Sequence, residues 1–230
     1  MSAAAGPATA RRARPAAMRN GRASGQAARE LLLDVAEELF GFRGVSAVST
    51  REIAVAAGQG NNSAVQYHFG GKQGLIRALI ESRNDVVELG RRELLAASPD
   101  PAEATAAELF RILWQPLLEL PTRKGHHCFI RFMLAWQIQL GGADHPFVEQ
   151  PQRYPAWHAL MDLLRRRNPA LTQTRFQSRI VLIAMMFWSA VSEHDHALLA
   201  ARGGVAPDFD FEDIIGLCVA ALLAPVVSGL

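Results

Sequence analysis

Three features of this 230-residue chain predict an all-α fold. Apolar residues recur at three- and four-residue spacings along most of the sequence. No stretch sustains period-two alternation, and glycine or proline breaks the pattern at helix-length intervals. Half the residues are hydrophobic, enough for a sizeable core. There is no internal repeat.

The elements can be taken in order. Residues 1–23 are rich in Ala, Pro and Gly and hold Arg11, Arg12, Arg14, Arg19 and Arg22 with no acid, which reads as a disordered basic arm. Within it Met18 is a candidate alternative translation start. From about residue 24, Ala28, Leu31, Leu32, Val35, Ala36, Leu39 and Phe40 make an apolar stripe, with Glu30, Asp34, Glu37 and Glu38 between them. That helix should stop at Gly41–Gly44. Ser49-Thr50-Arg51-Glu52 fits a capping box, in which the serine hydroxyl and the glutamate satisfy each other's backbone amides. The short helix it starts, 53–57, is cut by Gly58, and a Gly/Asn turn through Asn62 leads to a second short helix over 63–69. After Gly70-Gly71 a long helix is expected over 72–97, its buried side marked by Leu75, Ile76, Leu79, Ile80, Val86, Val87, Leu94 and Leu95.

Ser98-Pro99-Asp100-Pro101 is a boundary. Beyond it the pattern predicts helices near 102–115, 125–140, 155–167, 172–200 and 211–227, with breakers at Pro116, Pro121, Gly141-Gly142, Pro151, Pro155, Pro169, Gly203-Gly204 and Pro207. The last two are apolar on more than one face, which suggests burial against a partner. Residues 214–230 are 17 without a charge, just under the span of a membrane helix, and Gly216, Pro225 and Gly229 interrupt them. They read as a buried or dimer-interface helix, with a membrane anchor as the alternative.

Charge narrows the class. The formal net charge is +2, from 24 basic and 22 acidic residues. Removing the five arginines of the arm leaves 19 basic against 22 acidic, a net −3. A uniformly basic DNA-coating protein is therefore unexpected, and any nucleic-acid contact must be local. Cys128 and Cys218 are too few for a disulfide framework and lack CxxC spacing, which suits a reducing cytoplasm. No apolar signal core follows the arginines.

Residues 51–69 carry the chemistry. In a helix-turn-helix one helix crosses the phosphate backbone and the next lies in the major groove, with a tight turn and a small residue at the crossing. Ile53 and Val65 can form the small core, Ala54 is the small residue and Gly58 permits the turn. The second helix presents short polar and aromatic side chains rather than the Lys/Glu of a solvated face. Thr50-Arg51-Glu52-Ile53-Ala54, Ala57-Gly58 and Tyr67-His68-Phe69, followed by Gly71-Lys72 and Leu75, resemble the TetR family of transcriptional regulators. The likeness spans about residues 26–80 in the family's order. Between Gly58 and Tyr67 this chain has one residue more than the commonest spacing, taken up in Gly60-Asn61-Asn62, so the register of the base-reading side chains is open by one position.

The resemblance implies a division into an arm at 1–23, a three-helix DNA-binding domain at 24–72, and a larger helical effector-binding and dimerisation domain at 73–230. It implies that Thr50, Arg51 and Lys72 meet phosphates, with Tyr67 and His68 along the backbone, as their chemistry allows. Asn61, Asn62, Ser63 and Gln66 are the candidate base readers. Asn and Gln pair bidentately with adenine, so A·T pairs are expected in each half-site. Packing is the competing role for Tyr67 and His68, and core the expected one for Phe69. The arginines of the arm are a solvated tail or a supplementary DNA contact.

The implied function is a ligand-responsive repressor. It would act as a homodimer through 172–200 and 211–227 on palindromic double-stranded operator DNA, released by a small-molecule effector. Ala184, Ser189, Gly216, Ala220 and Ala221 would let helices approach closely in the dimer. Phe110, Trp114, Phe129, Phe132, Met133, Trp136, Phe147, Tyr154, Trp157 and Met161 are core, or for some of them effector-pocket lining. His127, Arg131 and Arg175 are candidate polar anchors for an anionic or amphipathic effector. Activation instead of repression, or an all-α binding protein or enzyme with a merely structural helix-turn-helix, are the alternatives. No GxSxG, HExxH or Walker sequence occurs, so no enzyme and no cofactor are expected. His126-His127-Cys128 are consecutive, and Glu193-His194-Asp195-His196 lacks the i,i+4 histidine pair, so no metal is expected either.

Overall fold

The structure, a computed structural model, describes residues 16–59, 63–140, 150–200 and 210–226. They form α1 (Ala16–Arg43), α2 (Thr50–Ala56), α3 (Ala64–Phe69), α4 (Lys72–Ala97), α5 (Ala106–Leu118), α6 (Cys128–Leu140), α7 (Pro155–Arg166), α8 (Gln173–Ala200) and α9 (Phe211–Leu223). Among the described residues no strand occurs, and one isolated bridge joins Arg123 to His126. The expected all-α class and the early helix-turn-helix are therefore present.

The first three helices fold around α1. Leu32, Leu33, Ala36 and Phe40 are buried along it, whereas Leu31, expected in the stripe, points outward. The helix starts at Ala16, so residues 16–23, expected in the arm, are its first turns, and the rest of the arm lies outside the described residues. The capping box forms as the spacing requires. Ser49 Oγ accepts from the Glu52 amide at 3.2 Å, and the Ser49 amide donates to Glu52 Oε2 at 2.8 Å.

Helix α4 runs from this unit into the remaining helices. Its inner side holds Leu75, Ile76, Leu79, Ile80 and Val87, but Val86 is 55% exposed. Asn84, Glu88 and Arg91 take inner positions instead. Against α4 pack α5 and α7. At Gly90 an added Cβ would lie 2.9 Å from the Pro116 Cβ, so the glycine admits α5 at close range. Pro116, expected to end a helix over 102–115, lies inside α5, which continues to Leu118. The helix begins late because Thr105 and Glu108 form a second capping box, with Thr105 Oγ1 accepting from the Glu108 amide at 3.2 Å.

Two further boundaries differ. Helix α6 starts at Cys128 rather than at 125, because residues 123–126 form a tight turn with positive φ at Lys124 and Gly125. Helix α9 ends at Leu223 and not near 227, since Ala224 leaves the helical region ahead of Pro225. No described helix is long and apolar enough to cross a membrane. The buried side chains form one cluster, from Leu32 on α1 to Leu222 on α9.

Candidate nucleic-acid interface

The two short helices are locked by a minimal core. Ile53, Ala54, Ala64 and Val65 are buried, and the absence of a large side chain at Ala54 lets α3 cross close to α2. After Ala57 the chain reverses through Gly58, whose φ of 64° only glycine adopts cheaply. The Gln59 amide donates to the Ala54 carbonyl at 2.9 Å and closes the turn. Inward Ala64 and Val65 leave Ser63, Gln66 and Tyr67 on the exposed side of α3. Tyr67 is 83% exposed and meets the His68 ring edge-on at 5.0 Å, so its phenol takes no part in the core. His68 and Phe69 are half-buried, and the Arg29 guanidinium lies 5.1 Å from the Phe69 ring centre. Asn61 and Asn62, the other expected base readers, lie outside the described residues, as does the point where the extra residue is absorbed.

The charged groups beside this surface divide into braces and an open cation. Arg43 donates Nη2 to Glu52 Oε1 at 2.8 Å and to the Ala47 carbonyl at 3.1 Å, tying the end of α1 to the front of α2. The Ser49 amide and hydroxyl, joined by Arg43, hold the Glu52 carboxyl down at about 2. Lys72, at the first position of α4, directs its ammonium to the Val45 carbonyl at 2.6 Å and lies 5.8 Å from the Phe40 ring centre. One of its three donors is thus spent inside the protein. Thr50 is half-buried in the first turn of α2. Arg51 beside it is exposed and has no hydrogen bond or ion pair among the described residues.

The side chains expected around an effector are less well gathered. Trp114, Phe129, Phe132, Met133, Trp136 and Met161 are buried, Trp157 is half-buried, and Phe147 lies outside the described residues. Trp114 stacks on Phe187 at 4.8 Å, between α5 and α8. Phe129 and Phe132 belong to a different place: Phe132 stacks on Phe40 of α1 at 5.8 Å, with Phe129 at 6.1 Å from Phe132. The three expected anchors do not converge. His127 Nδ1 lies 2.9 Å from Asp195 Oδ1, Arg131 donates to the Gly41 carbonyl at 3.2 Å, and Arg175 is exposed in the first turn of α8.

What the sequence reading missed is a buried charge pair on α4. Glu88 accepts from the Ala156 and Trp157 amides at 2.5 and 3.2 Å, capping α7 from outside it. Burial pushes its carboxyl above the ordinary range, outweighing those amides and Arg91. Arg91 is buried, donates Nε to the Leu113 carbonyl at 3.1 Å, and has its Nη1 buried without a hydrogen-bond partner among the described residues. Burial pulls it down to about 10, against the opposing pull of Glu88. The available signal was polar residues falling on the apolar stripe of a helix.

A short α2, a glycine turn and an α3 with an open polar edge define a helix-turn-helix protein of the DNA-binding class. Residues 32–79 match the family model described as bacterial regulatory proteins, tetR family. The match places a DNA-binding segment of the TetR type at residues 32–79, over the latter part of α1, α2, α3 and the front of α4. Among solved structures, it is similar to a TetR-family transcriptional regulator from Pectobacterium atrosepticum, at 22% identity over 87% of this chain and 93% of that one, with a TM-score of 0.46. A probable transcriptional regulatory protein, RHA5900, is similar at 19% identity over 87% of this chain and 100% of that one, with a TM-score of 0.45. No curated protein matches the chain.

Proposed function

We propose that the protein is a homodimeric, ligand-responsive repressor that leaves a palindromic operator when a small molecule binds its helical body. The observation that carries the reading is the open side of α3, where Gln66 and Tyr67 are exposed on a folded two-helix support. Gln66 and Ser63 would read base edges, with Asn61 and Asn62 ahead of them, favouring A·T pairs. Thr50, Arg51, Tyr67 and His68 would follow the phosphates, while Lys72 serves chiefly as a brace of the α1–α2 loop.

Dimerisation is supported by an apolar strip on the last two helices. Leu182 on α8 is 65% exposed and Leu217 on α9 is 48% exposed, with Gly216, Ala220 and Leu223 beside the latter and Ser189 further along α8. Of the small residues expected there, Ala184 faces inward. Two copies joined on this strip would place two α3 helices in successive major grooves about 34–36 Å apart. Within the helical body Arg91 replaces the anchors first expected. Its unfilled donor suits an effector with an acceptor or anionic group. Such a ligand would act on α4, which begins at the DNA-binding unit.

The test is binding to a labelled duplex from upstream of the protein's own gene at moderate salt. A specific, saturable shift by a dimer supports the reading. Binding no tighter than to unrelated DNA refutes it.

A further inference from the structure

Asp195 lies on α8, the helix that carries part of the apolar strip, and its carboxylate is fully buried. Its Oδ2 accepts from the His127 amide at 2.7 Å and its Oδ1 from His127 Nδ1 at 2.9 Å. A carboxylate only accepts, so the ring proton is on Nδ1. Burial favours a protonated Asp195, but the ring and amide of His127 outweigh it and keep the carboxyl below its ordinary range. The Arg131 amide donates to the His127 carbonyl at 3.1 Å, so His127 opens α6 and the anion stands at the positive end of that helix.

The front of α6 in turn grips the end of α1. Arg123 and His126 exchange two backbone hydrogen bonds of 3.0 Å, closing the turn before α6. From this turn Arg123 pairs with Asp34 at 2.7 Å, Lys124 pairs with Glu38, and the His126 ring meets Phe42 edge-on at 4.7 Å. Arg131 adds its bond to the Gly41 carbonyl and lies 5.5 Å from the Phe42 ring centre. At Gly41 the backbones are so close that a Cβ would sit 2.7 Å from the Cys128 carbonyl oxygen. Two residues later Arg43 is bonded to Glu52 of α2. A continuous series of contacts therefore joins α8 to the helix-turn-helix without passing through α4.

We propose that Asp195 is a positioning residue for the DNA reader: it fixes the front of α6, which fixes the end of α1, so that a shift of α8 is delivered to α2 and α3. The proposal rests on the chain being a dimeric DNA-binding regulator, because α8 moves against its partner only in a dimer. The joint also holds unspent groups. Among the described residues, Arg123 Nε, Arg131 Nη1 and His126 Nδ1 are buried without hydrogen-bond partners, and the last lies 3.8 Å from Asp195 Oδ2. A small shift of the carboxylate toward the His126 ring would give the joint a second arrangement to occupy.

The experiment uses the full chain with Asp195→Ala, Asp195→Asn and, from the far side of the joint, Gly41→Ala. Amide exchange reads the mechanical link. The Gly44 amide, bonded to the Phe40 carbonyl at 2.9 Å, and residues 45–48 should exchange about tenfold faster in Asp195→Ala and Gly41→Ala, with α3 unchanged. Asp195→Asn keeps an acceptor for the His127 amide and should recover most of the protection. For the functional arm, wild-type protein selects a duplex from a random-sequence pool. Asp195→Ala and Gly41→Ala should then bind the selected two-half-site duplex about tenfold more weakly, yet bind a single half-site as wild type does. Unchanged exchange at 44–48 overturns the proposal, and so does an equal loss on full and half sites. A pool that yields no duplex overturns the DNA reading instead, and the exchange arm still decides whether the joint exists.

Discussion

Replacing Lys72 by Met separates two jobs a lysine at the front of α4 can do. The ammonium-to-carbonyl bond to Val45 is 2.6 Å long and half-shielded from water, with the Phe40 ring beneath it. Hydrogen bonds to charged groups contribute about 1.5–3 kcal/mol, and partial solvation places this one near the lower end. Methionine keeps the apolar stem, so Lys72→Met should cost about 1–2 kcal/mol, a fall in melting temperature of roughly 3–6 °C for a chain of this size. A phosphate contact gives a different signature. Each one lost lowers the slope of log K against log salt by about 0.9, or about 1.8 for two copies in a dimer. Arg51→Met, which removes an exposed cation with no internal partner, should show that slope change with an unaltered melting temperature. Lys72→Met should show the thermal loss with an unaltered slope. Calorimetry and a salt titration of duplex binding on both variants decide it. If Lys72→Met lowers the slope as Arg51→Met does and melts like wild type, the brace is refuted and Lys72 is a phosphate ligand.

Other outcomes follow from the same geometry. The Glu52 carboxyl is held at about 2, below its ordinary 4.5, so the stability it contributes is complete above pH 4.5 and disappears as pH falls through about 2. The gap in urea midpoint between wild type and Glu52→Gln should close over that window; a gap constant with pH would mean the cap works without charge. Gly90→Ala puts a methyl 2.9 Å from the Pro116 Cβ. Overpacking of about 1–3 kcal/mol, less about 1 kcal/mol of helix propensity, should leave the variant about 1 kcal/mol less stable. An equal or higher melting temperature would show that α4 and α5 are not held at this distance. Leu217→Glu puts a charge on the outer strip and should yield monomers in sedimentation at micromolar concentration, with single half-site binding retained. A persistent dimer would move the interface elsewhere.

Local chemistry made the reader legible in the sequence. Ser49 and Glu52 predicted their own cap, Gly58 its turn, and the Ile53, Ala54 and Val65 pattern the crossing, because each depends on residues only a few positions apart. Helix ends failed where the deciding group was read too late or lay elsewhere in the chain. The Thr105-to-Glu108 cap is just as local, and it starts α5 later than the break at Pro101 alone implies. Pro116 did not end α5, where Gly90, 26 positions away, leaves room for its ring. The partners of the expected anchors were not legible for a deeper reason. His127 and Arg131 have the chemistry of ligand contacts, but what they meet is set by α8 and α1, which periodicity cannot place beside α6. Glu88 and Arg91 were detectable in principle, being charges on the inner stripe of α4, although only the packed α7 reveals what Glu88 caps.

The placement of charges changes what a net −3 body means for DNA binding. Between residues 43 and 72 the cations are Arg43, Arg51 and Lys72, and two of the three are engaged within the protein, by Glu52 and by the Val45 carbonyl. The acids of α1 are likewise spoken for: Asp34 and Glu37 by Arg83, Glu38 by Lys124. Their negative potential is thus largely neutralised within the protein and repels a duplex less than the raw count implies. The same pairing withholds cations that would otherwise attract it. The sequence-independent affinity that residues 43–72 supply is then low, because phosphate contacts supply most of that term. A reader of this kind gains useful affinity from neutral donors such as Gln66 and Tyr67, and from engaging two half-sites at once. In the proposed dimer, the geometry between the two α3 helices, and with it the proposed joint, is the quantity on which occupancy depends. A strongly basic reader would tolerate a misplaced partner, whereas this one should fall off its site when α8 moves.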